Sequence, residues 1–176
     1  MSDLAKYVNA ALSEGITKAK LIDTKTVVVG NWVRLKCQYG CSGYAKRLTC
    51  PPFSPTPEYT EKMLREYSKA LLMQITGIEL KKERSMSRKL KRVVTALERD
   101  IFLDGYYKAF GIASGPCRLC RTCNTNKECI YPEQARPAME ACGIDVYQTV
   151  RNNGFVLEVV QTEDERCSYN GLVLIE

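Results

Sequence analysis

A single α+β (or α/β) domain, with a mixed sheet flanked by helices, is the fold class this sequence predicts. Three observations predict it. Apolar residues recur at helical spacing, most clearly Met86, Leu90, Val93, Val94, Leu97 and Ile101. Short β-branched or apolar runs lie between such windows, as in Thr26–Val29 and residues 70–78. The 176 residues suit one domain spanning 1–176, and 45% apolar side chains are enough for a core without covalent staples.

The elements follow in order. Asp3 caps a first helix with Leu4, Tyr7, Val8, Ala11 and Leu12 on one face, and Gly15 ends it. Residues 18–22 and 25–29 read as strands. Cys37, Cys41 and Cys50 then sit in an irregular loop, about 37–55, because Pro51, Pro52 and Pro55 resist regular structure. Thr56, Pro57 and Glu58 give a capping hydroxyl, a proline at the first helical position and an acid. That helix is expected to reach Ser68 with Tyr59, Met63, Leu64 and Tyr67 inward. A buried strand over 70–78, a long helix over 80–103 and a strand over 107–113 deliver the chain to a second cysteine loop, about 115–132. Two short helices, 134–142 and 145–151, split at Gly143. Strands over 155–161 and 172–175 close the chain around an exposed turn with Glu163, Asp164 and Glu165. There is no internal repeat.

Nine cysteines and no histidine narrow the chemistry. An odd count leaves one thiol outside any full set of disulfides. Without histidine there is no Cys/His zinc site and no Cys–His catalytic pair. The first residues lack the apolar core of a signal peptide, and no apolar run is long enough to span a bilayer. The expectation is a cytoplasmic, reducing setting, where clustered thiols are metal ligands more often than bridges.

Cys117, Cys120 and Cys123 are spaced by two residues and closed by Cys129, with Pro132 beyond. This order resembles the bacterial ferredoxin run, in which close-set cysteines hold a [4Fe-4S] cluster. One loop can offer three thiolates to three corners of a cube. A zinc site draws instead on two separate Cys-x2-Cys knuckles, and zinc is the lesser alternative. The upstream group, Cys37, Cys41 and Cys50, supplies three thiols only. Either a remote cysteine completes a second cube (Cys142 first, Cys167 second), or one iron stays open, or both groups share one site. Acidic neighbours of Cys167 disfavour its thiolate, which is why Cys142 is preferred.

The segments Val33-Arg-x-Lys-Cys37, Cys41-x2-Tyr44, Cys50-Pro-Pro, Gly115-Pro-Cys117-Arg-Leu-Cys120, Tyr131-Pro-Glu-x-Ala-Arg-Pro137 and Met139-Glu-Ala-Cys-Gly-Ile-Asp-Val146 carry a wider resemblance. They are similar to a family of small predicted metal-binding proteins of unknown function, common in anaerobic bacteria and methanogenic archaea. The resemblance covers about residues 30–155. It implies metal held by cysteine, iron–sulfur before zinc, and it implies no reaction.

The formal charge of +6 counts every cysteine as neutral. A cube with four thiolates adds about two negative charges, so the basic balance is weak support for nucleic acid. Lys81, Lys82, Arg84, Arg88, Lys89, Lys91 and Arg92 lie on the polar side of the long helix. They read as a solvated face, or as a dock for an acidic redox partner. Tyr39, Tyr44, Tyr106, Tyr107, Tyr131 and Tyr147 read as packing that keeps water from the thiols. Three function classes remain: an electron carrier or redox subunit, an enzyme with an open iron acting on a small sulfur or one-carbon molecule, and a zinc-stabilised binding module.

Overall fold

The computed structural model describes residues 4–176, so the expected cap at Asp3 lies outside the described residues. Helix α1 (Ala5–Ser13) leads into strand β1 (Lys18–Asp23). Helices α2 (Asn31–Gly40) and α3 (Pro57–Leu64) precede strand β2 (Lys69–Ile78). The long α4 (Glu83–Leu103) connects β2 to β3 (Phe110–Ile112). A short α5 (Val146–Asn152) and the final strand β4 (Cys167–Leu174) follow.

The four strands form one sheet in the order β1-β2-β4-β3, with every neighbouring pair antiparallel. The expected mixed sheet is thereby corrected, and the reason is topological. The crossover through α4 leaves β2 and β3 parallel to each other but one strand apart. β4 fills the slot and runs against both. The one parallel pairing among the described residues is an isolated bridge, Ala113 to Ala138.

Alternation along the strands sorts the core into two layers. Leu71, Met73, Ile75 and Val173 face α1 and the stripe Leu90, Val93, Val94, Leu97 and Ile101 of α4. Ala70, Leu72, Leu172 and Leu174 face the other way, onto Leu64, Met139, Ile144, Val150, Phe155 and Leu157. The α+β class stands: helices cover one face, and irregular chain with short helices covers the other.

Several elements differ from expectation. The strand over 25–29 is instead a 3-10 turn, Thr24–Thr26, because Asp23 accepts a hydrogen bond from the Lys25 amide and starts a turn. Only Val29 pairs, with Ile144. Helix α3 stops at Leu64, and Tyr59 is exposed rather than inward, as is Leu12 on α1. The helix expected over 134–142 shrinks to a 3-10 turn, Glu140–Cys142. Pro137 and Met139 instead exchange backbone hydrogen bonds with Ala113. Residues 155–161 form no strand. Phe155 and Leu157 alternate inward as the pattern demanded, but they lie on the face of the sheet, outside its ladder. Cys167 begins β4 rather than sitting in an exposed turn, and its thiol donates to the Ile78 carbonyl at 3.4 Å.

Candidate metal centre

The upstream thiols are placed by a helix that the sequence reading took for loop. Gly30 opens α2, whose buried Val33 and second-turn Cys37 stand four residues apart on one face. That i, i+4 pair was the available signal. Cys41 follows the helix at once. Between it and Cys50 the backbone passes through Ala45 at φ +56°, a left-handed conformation uncommon for alanine, whose N–H donates to the Pro51 carbonyl at 2.7 Å.

Arg34 binds this corner together. Its guanidinium donates to Ser54 Oγ at 3.1 Å, the Pro55 carbonyl at 2.9 Å and the Ala141 carbonyl at 3.3 Å. Ser54 Oγ also donates to Ala141 at 2.6 Å. The turn at Ala141 is pinned from behind by Gly143 at φ +79°, whose carbonyl accepts from the Gly30 amide. A Cβ at Gly143 would come within 3.1 Å of the Pro57 backbone. Neither Arg34 nor Ser54 was singled out from sequence as a support of the site.

Cys37, Cys41 and Cys50 line a cavity of about 720 Å³. Trp32, Tyr44, Ile144, Val146 and Tyr147 give it apolar walls. The thiols are close enough to influence one another. Burial pushes Cys37 up to about 11, and Glu140, Cys41 and Cys50 add to the rise. Cys50 is raised mainly by burial, with Cys41 contributing.

Cys142 is buried in the apolar layer with Met139 and Ile144, does not line that cavity, and is pushed up to about 12 by burial. It stays within electrostatic reach of Cys37, which adds to the rise of its thiol. Cys167 packs in the opposite layer, against the α4 side of the sheet. The structure thus brings three upstream thiols to one cavity and neither remote cysteine into it.

The downstream run is delivered by β3. Ser87 of α4 donates to the Ser114 carbonyl at 3.3 Å, and Lys91 one turn later donates to the Pro116 carbonyl. At the far end, Arg136 grips Glu98 with two hydrogen bonds of 2.6 Å, and Glu98 also accepts from the Gly111 amide. Both side chains are largely buried, so this fork is a strong anchor. Between those anchors the loop has no helix or strand. Cys117, Cys120, Cys123 and Cys129 line one small cavity of about 20 Å³, roofed by Arg47, Leu48 and Thr49. Cys120 is raised by burial and then by Cys123, Cys117 and Cys129.

The two sites are neighbours. The segment 47–50 touches both cavities, and Gly43 lies against Cys41 Sγ, Cys50 Sγ and Pro116. Lys91 is held at about 8 by burial, against the opposing pull of Cys117 and Cys50. It therefore senses one thiol from each group. Its signal in the sequence was faint: Ser87 and Lys91, four apart, flank the apolar stripe of α4.

Thiols dominate the donor set, with the Glu140 and Asp145 carboxylates also on the wall of the upstream cavity, and such a set suits thiophilic metals. Among the described residues, no three Cys, Asp or Glu side chains converge tightly enough to hold a single metal ion. No described helix is long and apolar enough to cross a membrane.

No curated protein and no solved structure matches this chain. A protein family does match, over residues 20–175, and that span contains both cysteine groups, α4 and all of the sheet but the first two residues of β1. The match takes in all nine thiols and both anchors, and on it the chain belongs to the family described as predicted metal-binding protein (DUF2284).

Proposed function

We propose that this metal-binding protein is an iron–sulfur protein. One [4Fe-4S] cluster would be held by Cys117, Cys120, Cys123 and Cys129, and a second centre by Cys37, Cys41 and Cys50. The observation that carries this is that Cys117, Cys120, Cys123 and Cys129, spaced as in the ferredoxin run, line one and the same cavity. Three thiols two residues apart on one loop can reach three corners of a cube, whereas zinc draws on two separate Cys-x2-Cys knuckles. When bound, such clusters accept and release single electrons. The chain supplies the thiolates, the buried loop anchors and a nearby cation, Lys91. Two adjacent centres in so small a protein favour a role as electron carrier or redox subunit.

A second reading has its own observation. The three upstream thiols open onto about 720 Å³ of cavity with no fourth cysteine on its walls. That is the layout of a metal site with one position left for a small molecule, and it favours an enzyme.

Anaerobic purification with iron and acid-labile sulfide counting tests the proposal. A brown protein with equal iron and sulfide supports it; zinc without sulfide overturns it. The triple variant Cys37→Ser, Cys41→Ser, Cys50→Ser is expected to keep about half the iron if the two centres are alike. Loss of all metal in that variant would mean one shared site. Addition of cyanide to the reduced protein separates the two roles: an altered EPR signal from the upstream centre favours the enzyme, an unaltered one the carrier.

A further inference from the structure

We propose that the groove along the outer side of α4 docks an acidic electron-transfer protein against the loop of Cys117. The surface stands on its own geometry; its redox purpose rests on the iron–sulfur reading above. The groove encloses about 1130 Å³ and runs from α4 to the downstream loop, with Cys117 in its wall. This exceeds the range of about 300–1,000 Å³ usual for a small ligand and suits the edge of a protein.

Charge says what kind of protein. Arg88, Arg92, Arg99 and Arg118 line the groove, and none belongs to an ion pair among the described residues. Of the groove's two acids, Glu98 is already taken by Arg136, and Glu133 is outnumbered by the arginines. Phe102 and Leu119 add exposed apolar contacts at the same place. A cationic rim around apolar spots, beside a redox-active loop, fits a transient acidic partner and speeds its encounter. Nucleic acid fits less well, because Phe102 is the sole aromatic side chain lining the groove and bases find no stacking platform. The step served is a single electron transfer. The reduced partner is oxidised by one electron, the centre bound at Cys117 is reduced by one, and no bond is made or broken.

The test uses the full iron-loaded chain and a small acidic [2Fe-2S] ferredoxin as probe, with calorimetric titration at low and moderate salt. Arg92 and Arg99 are exposed, so Arg92→Glu with Arg99→Glu leaves the fold intact, checked by circular dichroism. Salt-sensitive binding that weakens about tenfold or more in the double variant supports the surface. In that case reduction by reduced ferredoxin slows in parallel, while reduction by dithionite does not. No binding, or binding indifferent to both substitutions, overturns it. Tighter binding of a short DNA duplex through the same arginines overturns it in favour of nucleic acid. An iron count on each sample keeps the two claims apart. Binding without iron removes the iron–sulfur reading alone, and iron without binding removes the docking surface alone.

Discussion

The ammonium of Lys91 donates a hydrogen bond to the carbonyl of Pro116, the residue immediately before Cys117. The same side chain lies within electrostatic reach of Cys50, a thiol of the other group. One partly buried cation on α4 thus stands between the two candidate centres. In a water-poor pocket a fixed positive charge stabilises the more negative state of whatever the thiolates bind.

Lys91→Met is therefore expected to lower the reduction potential of both centres. The shift should be on the order of 60 mV, a tenfold change for a one-electron couple. Lys91→Arg should restore most of it, since the charge returns. A redox titration followed by EPR measures this. Potentials unchanged in the methionine variant would show that Lys91 serves only to hold the Pro116 loop.

Cys120→Ser or Cys123→Ser should remove the iron of one centre and loosen residues 115–135. Between Cys117 and Ile130 the described backbone makes a single internal main-chain hydrogen bond, Lys127 to Asn124. Metal ligation is then the main source of order within that stretch. Hydrogen exchange resolved by segment should show the loss there, with the sheet unaffected. Native iron content and native protection in either variant would defeat the prediction.

The thiols give the metal-free protein a defined pH dependence. Cys142 titrates near 12 in the fold because of burial, well above its ordinary value. A raised folded-state pKa means that the native state keeps its proton longer than the unfolded chain does. The stability it contributes is complete below about pH 9 and is lost as pH climbs from there towards 12. Cys37, raised to about 11 by burial, acts with the same sign. Urea unfolding of metal-free protein at about pH 8 and about pH 10 should show the fall, and Cys142→Ala should flatten it. Equal pH sensitivity in the two proteins would assign the fall to other groups.

Gly143→Ala should destabilise the fold by about 1–3 kcal/mol. Gly143 combines a left-handed φ of +79° with the close approach of Pro57. Its displacement would move Ala141, the acceptor for Arg34 and Ser54, and so disturb the upstream thiols. Thermal melting and iron content of the first cysteine group should fall together. A variant with native melting would show that the turn tolerates a side chain.

Sequence alone determined the elements whose signal is local. The stripe from Leu90 to Ile101 declared α4, since burial every three to four residues has no other regular solution. The cap of Thr56 before Pro57 declared the start of α3, and the side chain does accept from the Tyr59 amide. The cysteine spacing declared a metal-binding chain, because thiols two residues apart on a polar loop make a poor core. Tertiary structure decided everything that depends on distant partners. The sheet is antiparallel because β4, from the far end of the chain, enters the slot between β2 and β3. Cys142 is a core residue because the Glu140–Cys142 turn packs onto the sheet face, which no spacing along the chain encodes. The helix under Cys37 forms where Arg34 finds acceptors more than a hundred residues away at Ala141, and the two thiol groups adjoin because Lys91 draws Pro116 to α4. These contacts join segments far apart in the chain, and a local pattern carries no record of which distant surface will supply the burial.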